Sequence, residues 1–296
     1  MKSVLDFIFP RFLFAVLYVL LGLSNYLKML VVGVRNCKIC EEKIIIIGNG
    51  PSLNKTMEEN AEIIKATPCG VVNSFANSPY FETIKPKFYF FADPVFFGKI
   101  EDQSERIQGL IRSLLCNLQN KISWDIIFVL PFSAKGSDFQ KALSGISTAK
   151  FQYYNNRGYS HYIPECRFRY ILWNYDIISP ISQSVLNTAL SLCIKSKVKN
   201  IYLVGADSSW LTTYEIDQND NTLYTKDEHF YGVNRIPLYR DENLRNKLYI
   251  HDEIASVSNA FKAYYVLFKY AVFNNVNLYN ASAYSWIDSL PRRPLV

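Results

Sequence analysis

The chain has 296 residues, of which 49% are hydrophobic, and its formal net charge is +6 at pH 7. This length and composition predict one main folded domain with small appendages and exclude a disordered or repeat-rich chain. The basic excess is spread along the sequence, so it favours an anionic ligand or a membrane surface and indicates no nucleic-acid partner.

The amino-terminal segment is strongly apolar. Residues 12–34 read FLFAVLYVLLGLSNYLKMLVVGV, which supplies the roughly 20 residues of a membrane-spanning helix only if Asn25 and Lys28 are tolerated. No small-residue cleavage site follows, which disfavours a signal peptide. We predict that residues 1–35 form a membrane-associated helix, either spanning the bilayer or lying in its interface. The alternative is a buried amino-terminal helix of a soluble protein.

The cysteines do not indicate a disulfide framework or a zinc site. Six cysteines are scattered through the chain, which is typical of a reducing, cytosolic setting. Cys37 and Cys40 form a CxxC motif, but no second pair completes a tetrahedral metal site. We interpret this motif as incidental.

After a charged linker, short apolar runs alternate with stretches of helical length. The apolar runs, each typical of a buried parallel strand, lie at residues 44–47, 70–73, 88–92, 125–130, 200–204 and 276–279. Helical patterns lie at residues 184–197 and 253–273. This alternation predicts an α/β fold in which a Rossmann-like, mostly parallel sheet is flanked by helices, as a single domain over residues 43–296.

Polar residues or glycines follow four of these predicted strands. They are Gly48-Asn49-Gly50, Asn73-Ser74, Asp93-Pro94 and Gly205-Ala206-Asp207. Ligands bind beyond the carboxyl ends of parallel strands, so we expect these four ends to outline one crevice. The glycines let the backbone approach a phosphate or ribose, and Ser52 begins a helix whose free N–H groups favour an anion. The same glycine turn also occurs in proteins that bind nothing there.

Five sequence blocks together resemble a known enzyme family. IIIIGNGPSL, VVNSF, FYFFADPVFF, VKNIYLVGAD and DEHFYG are similar, in order and spacing, to the blocks of glycosyltransferase family 42, the CMP-sialic acid-dependent bacterial sialyltransferases. The resemblance covers roughly residues 44–279 through short motifs. It implies a GT-A-like, nucleotide-sugar-binding catalytic domain, in which we place an inserted lid around residues 208–250.

The resemblance also implies roles for individual residues. It assigns contacts with the CMP moiety to Asn49 and Asn73, and it places Asp93 where the family has an asparagine, which removes an amide donor unless the acid is protonated. Gln183 and Ser184 fall in the family's polar helix start. The complete predicted substrate-binding set is Asn49, Gly50, Ser52, Asn73, Asp93, Gln183, Ser184, Asp207, Ser209 and Tyr214.

His229 is the predicted catalytic base. It is one of three histidines and lies in the DEHFYG block, which resembles the family block that carries the base. An imidazole near its ordinary pKa accepts a hydroxyl proton at neutral pH, and Asp227 or Glu228 can orient it. The alternative is a surface histidine in a polar loop.

These features predict an inverting glycosyltransferase. It would move sialic acid, Kdo or a related sugar from a CMP-sugar to a glycan or lipid-linked oligosaccharide acceptor, in lipopolysaccharide or O-antigen biosynthesis at the cytoplasmic face of the inner membrane. No strand ends in a DxD pair, and a CMP-sugar carries one phosphate, so we expect no metal and no other cofactor. A homo-oligomer is compatible with the sequence.

Two other functions stay open. One is a 6-hydroxymethylpterin diphosphokinase-like enzyme, because a family containing such enzymes shares a similar GNGPSL block and would use ATP and magnesium. The other is a non-catalytic, membrane-tethered nucleotide-binding protein.

Overall fold

The computed structural model describes residues 2–34, 36–157, 163, 165–180, 183–229, 232–239 and 246–296; the side chains of residues 2–11, 227–229 and 232–235 lie outside the description. The helices are α1 (Lys2–Val31), α2 (Leu53–Ala66), α3 (Phe81–Ile84), α4 (Glu105–Lys121), α5 (Asp138–Leu143), α6 (Arg167–Asn174), α7 (Val185–Lys195) and α8 (Ile250–Phe273). The strands are β1 (Lys43–Ile47), β2 (Cys69–Val72), β3 (Phe88–Phe90), β4 (Ile126–Pro131), β5 (Ala149–Tyr154), β6 (Asn200–Val204), β7 (Tyr214–Ile216), β8 (Leu223–His229), β9 (Gly232–Pro237) and β10 (Asn277–Asn280).

The main sheet has seven strands in the order β10-β6-β1-β2-β3-β4-β5, and each neighbouring pair is parallel. This confirms the predicted α/β fold with a mostly parallel sheet. The sequence missed β5, an edge strand in which Lys150 is exposed between half-buried neighbours, so it has no continuous apolar run. The free edge of β5 is partly covered by the linker, where the Cys37 N–H donates to the Tyr153 carbonyl.

The isoleucines of β1 explain why a continuous apolar run was a reliable strand signal. Ile45 and Ile47 point into one core, while Ile44 and Ile46 point into a second core on the opposite face of the sheet. All four side chains are fully buried. A strand covered by helices on both faces needs apolar residues at every position.

Two predicted strands end earlier than expected, each for a local reason. β2 ends at Val72 because Asn73 adopts a left-handed backbone conformation with φ of 46°, which a strand cannot accommodate. β3 ends at Phe90, and Asp93 caps the turn Pro94–Phe96 by accepting from the Val95 N–H at 3.0 Å.

Helix α1 lies against the α/β domain along most of its described length. Ala15 and Val19 pack on one core cluster, Met29 is buried in the other, and Asn25 hydrogen-bonds to Asn155 at 2.7 Å. The remaining surface of the segment Phe12–Val31 is largely exposed and apolar, and it includes the exposed polar residues Ser24 and Lys28. Of the helices in the described part of the chain, the segment Phe12–Val31 has the length and apolar composition to cross a membrane.

The predicted lid region contains a small antiparallel sheet, β7-β8-β9. It contacts α8 through Tyr214, whose hydroxyl donates to Glu253 Oε2 at 2.7 Å, and through the rings of Trp210 and Phe261, whose centroids are 6.1 Å apart. Its function as a lid stays a prediction.

Candidate functional site

The glycine-containing turn after β1 packs against the end of β6. A Cβ atom on Gly48 would lie 2.5 Å from the Gly205 carbonyl oxygen, and one on Gly50 would collide with the Asp207 carboxylate. The two loops are in direct backbone contact, since the Gly50 N–H donates to the Gly205 carbonyl at 2.8 Å. The glycines are therefore required by contacts within the protein, whether or not a ligand is bound.

The start of α2 is occupied by the protein's own carboxylate. Ser52 donates to Asp207 twice, from its hydroxyl to Oδ1 at 2.5 Å and from its N–H to Oδ2 at 3.0 Å. The anion expected at Ser52 is thus Asp207 itself, and a ligand phosphate would have to displace it. Burial raises the pKa of Asp207 above its ordinary value, while the hydrogen bonds from Ser52 act in the opposite direction.

Two amide oxygens are available where β1 and β2 end. The Asn49 amide Nδ2 donates to the Val72 carbonyl at 3.4 Å, which holds this side chain beside the residue that precedes Asn73. The Oδ1 atoms of Asn49 and Asn73 are both buried and accept no hydrogen bond from any residue that the structure describes. Each is an acceptor that a ligand amino or hydroxyl group would satisfy.

A cavity of about 690 Å³ opens at the carboxyl ends of β2, β3, β4 and β5. This volume is within the range of small-molecule sites. Four predicted substrate-binding residues line the cavity: Asn73, Asp93, Gln183 and Ser184. Two of the four predicted strand ends, at Asn73 and Asp93, therefore meet at this cavity together with the start of α7.

The other predicted site residues are not brought to the wall of this cavity in the described part of the chain. Asn49, Gly50, Ser52 and Asp207 form the adjoining cluster at the ends of β1 and β6. Ser209 and Tyr214 follow that cluster, and burial together with Glu253 raises the pKa of the Tyr214 hydroxyl.

The side chain of His229 lies outside the described residues. The structure places its backbone at the end of β8, paired with Gly232 at the turn into β9. Its role as catalytic base stays a prediction.

Helix α7 supplies one wall of the cavity through a polar stripe. Ser184, Thr188, Ser191 and Lys195 all line the cavity at helical spacing, although nearly the whole helix is buried. Of these four residues, only Ser184 belongs to the predicted substrate-binding set. Hydroxyls and a lysine recurring at three- and four-residue intervals in a buried helix were the signal that would have identified this wall.

A buried ion pair completes that wall. Lys195 Nζ lies 3.0 Å from Oδ1 of Asp176, which follows α6, and their side chains are only 10% and 6% exposed. Both residues line the cavity, together with Trp173 of α6. Sequence reasoning missed all three, since the pairing depends on how α6 and α7 meet.

Asn155 connects the cavity to α1. This residue follows β5, lines the cavity and is 1% exposed. Its Nδ2 donates to the carbonyls of Gly22 in α1, at 3.0 Å, and Asp176, at 2.8 Å, while its Oδ1 accepts from Asn25. The amino-terminal helix is therefore bonded directly to the cavity wall.

Among the described residues there is no group of three or more His, Cys, Asp or Glu side chains placed to hold a metal ion. All six cysteines are free thiols, and Cys37 is buried while Cys40 is exposed.

Comparison with known proteins gives a structural likeness alone. No protein-family model and no curated protein matches the sequence. Among solved structures, the chain is similar to the MAf glycosyltransferase from Magnetospirillum magneticum AMB-1, with a TM-score of 0.51 and 13% identity over 88% of this chain. The chain spans 35% of the length of that protein. At this identity the likeness shows a shared fold.

Proposed function

We propose that the protein is a glycosyltransferase that transfers sialic acid, Kdo or a related sugar from a CMP-sugar. The observation that carries the proposal is the cavity at the carboxyl ends of β2–β5, where Asn73, Asp93, Gln183 and Ser184 come together. Parallel sheets of this kind bind nucleotides at this edge. The fold shared with a protein named as a glycosyltransferase supports the same class of reaction.

The residues at the cavity suggest how the nucleotide is held. The buried Oδ1 atom of Asn73 is an acceptor for the amino group of a base or for a ribose hydroxyl, and the buried Oδ1 atom of Asn49 offers a second acceptor in the adjoining cluster. The start of α7 suits the phosphate better than the start of α2, because Asp207 already occupies the start of α2, whereas the start of α7 lies at the cavity. One phosphate held in this way needs no metal ion.

The proposed reaction is a direct displacement with inversion. A hydroxyl oxygen of the acceptor bonds to the anomeric carbon while the bond from that carbon to the phosphate oxygen breaks, and its electron pair leaves with CMP. The hydroxyl proton goes to His229, which acts as the general base.

We further propose that α1 lies in the plane of a membrane surface and brings the cavity to it. Ala15 and Met29 both contact the domain, and about 21 Å of helix separates them. A helix docked over this length could cross a bilayer only by drawing the domain surface around Asn155 into hydrocarbon, which polar groups resist. Its exposed face, with Leu20 and Leu27 about half exposed, suits the lipid side of an interfacial helix.

This arrangement supports an acceptor that is itself lipid-linked, such as a lipopolysaccharide or O-antigen intermediate at the cytoplasmic face of the inner membrane. The hydrogen bond from Asn155 to Gly22 supports a lipid-linked acceptor, because it joins α1 to the cavity wall. A membrane-embedded acceptor would then reach the cavity without leaving the bilayer surface.

The test is a nucleotide panel followed by a transfer assay. CMP and at least one CMP-sugar are expected to raise the melting temperature, because a ligand that binds only the folded state stabilises it. Stabilisation by ATP with magnesium, and not by CMP, would favour the pterin diphosphokinase-like alternative. A protein that no nucleotide stabilises would contradict the proposal and favour a non-catalytic tether.

The transfer assay tests the base. His229→Ala is expected to lower transfer from the CMP-sugar by about 10²–10⁴-fold, the usual contribution of a general base. His251→Ala is the matched control, because His251 is largely exposed near the start of α8. Equal activity of the two variants would remove His229 from the mechanism.

A further inference from the structure

The cavity has a second polar cluster, away from the strand ends, whose hydrogen bonds are incomplete. It consists of Trp173, Asp176 and Lys195, and all three are at least nine-tenths buried. Trp173 Nε1, Asp176 Oδ2 and Lys195 Nζ make no hydrogen bond to any described residue. Although Lys195 Nζ lies near Asp176 Oδ1, the two groups are not aligned for a hydrogen bond.

Three unsatisfied groups in one cavity wall indicate that the cavity contents supply their partners. Buried polar atoms are nearly always hydrogen-bonded, since leaving them unpaired costs free energy. Trp173 and Lys195 offer donors, and Asp176 offers an acceptor. A hydroxyl group both donates and accepts, so a ligand with several adjacent hydroxyls matches the cluster.

The charges in the cluster argue against a fully ionic ligand. The ammonium of Lys195 and the carboxylate of Asp176 are paired and sum to zero. A phosphate bound here would be repelled by Asp176, and a cation would be repelled by Lys195. A neutral polyhydroxylated group meets neither repulsion.

Apolar side chains next to the cluster complete a surface for a ring. Tyr154, Ile178, Leu192 and Tyr270 line the same cavity and are all buried. Aromatic and aliphatic faces suit the C–H face of a sugar ring, while the charged pair suits its hydroxyl edge.

We propose that Trp173, Asp176 and Lys195 form a binding site for the hydroxyl groups of a sugar ring. The site rests on the proposed glycosyltransferase function, with the nucleotide at the Asn73 end of the cavity. Ser184 and Lys195 are at opposite ends of α7, about 16 Å apart. This length accommodates a nucleotide and a sugar in succession.

The test variant is Lys195→Met/Asp176→Asn, which removes both charges together and so leaves no single charge buried without a partner. Lys141→Met/Asp138→Asn is the matched control, because this pair also lies at 3.0 Å but is exposed on α5. Trp173→Phe is a second probe that removes the indole donor while keeping an aromatic ring. Circular dichroism and melting temperature identify variants that fail to fold.

Binding of CMP and of CMP-sugars is measured by calorimetry, and the KM for the acceptor by transfer assay. The double variant is expected to bind CMP like the wild type. If the site holds the donor sugar, its affinity for the CMP-sugar falls about tenfold or more; if it holds the acceptor sugar, the acceptor KM rises by a similar factor. Values within twofold of the wild type for both quantities would overturn the proposal.

If the protein is not a CMP-sugar-dependent transferase, the wild type itself will bind neither CMP nor any CMP-sugar, which distinguishes this outcome from loss of the sugar site alone. Free monosaccharides would decide the sugar site in that case, by ligand-observed saturation-transfer NMR. A signal with the wild type that the double variant lacks supports the site. No signal, or equal signals, overturns it.

Discussion

The carboxylate of Asp207 caps the helix that begins after Ser52, although the two residues are 155 positions apart in the chain. Their strands, β1 and β6, are neighbours in the sheet, so the cap ties the two strand ends together. Helix α2 has no acidic residue in its first turn, and Asp207 supplies the negative charge that a helix N-terminus favours. The cap therefore joins sheet and helix at the edge where the cavity opens.

Replacing Asp207 separates its hydrogen bonds from its charge. Asp207→Ala leaves the Ser52 N–H and hydroxyl without their partner and is expected to lower the free energy of unfolding by about 1–3 kcal/mol. Asp207→Asn keeps an acceptor of the same shape, so we expect a smaller loss. Urea denaturation, carried out on the wild type and both variants in the same detergent, measures these losses. Equal losses would show that the hydrogen bonds to Ser52 contribute little.

The pH dependence of the stability of the wild type and of Asp207→Asn tests whether burial raises the pKa of Asp207. Burial raises the pKa of Asp207 in the folded state above its ordinary value near 3.8. Between these two pKa values the folded state binds more protons than the unfolded state, so the free energy of unfolding falls as pH rises. Asparagine does not titrate. The stability of Asp207→Asn relative to the wild type should therefore increase from about pH 4 upward and then level off, and a decrease over this range would contradict the burial effect.

The glycine at position 50 is expected to be essential for packing. Gly50→Ala places a Cβ atom against the Asp207 carboxylate, so strain should lower the melting temperature. Gly109→Ala is the matched control, because Gly109 is exposed inside α4 and an added Cβ meets nothing within 4 Å. That change should stabilise the protein by about 0.5–1 kcal/mol through helix propensity. If both variants are stabilised, the close approach of the two loops is not maintained in solution.

A structural feature was predictable from the sequence where a short stretch of chain determines it by itself. The strand at β1 was predictable because burial on both faces requires an apolar residue at every position. The edge strand β5 was not, since Lys150 and Gln152 interrupt its apolar residues. Of the residues that line the cavity, Asn73 was predicted because it ends a predicted strand, and Ser184 because its block resembles the polar helix start of the family. Lys195 and Asp176 were missed because their contact depends on tertiary packing.

The hydrogen bonds of Asn155 predict that α1 is part of the folded domain and not a detachable tether. Asn155→Ala leaves the Gly22 and Asp176 carbonyls without this donor, so we expect the melting temperature to fall by about 2–8 °C. Asn25→Ala should lower it less, because Asn155 Oδ1 still accepts from the Arg157 N–H at 3.0 Å. Full stability and nucleotide binding after deletion of residues 1–34 would show that α1 contributes nothing to the domain.

Asn73 offers a way to separate backbone strain from ligand binding. Its φ of 46° is a conformation that glycine adopts freely and alanine does not. Asn73→Gly therefore keeps the turn but removes the buried amide oxygen, and CMP affinity should fall about tenfold with little change in stability. Asn73→Ala should lose both affinity and stability. Lys85→Gly is the control, because Lys85 has a similar φ of 48° but lies at the end of α3, outside the cavity lining among the described residues. If Asn73→Gly binds CMP as tightly as the wild type, the amide of Asn73 does not contact the nucleotide.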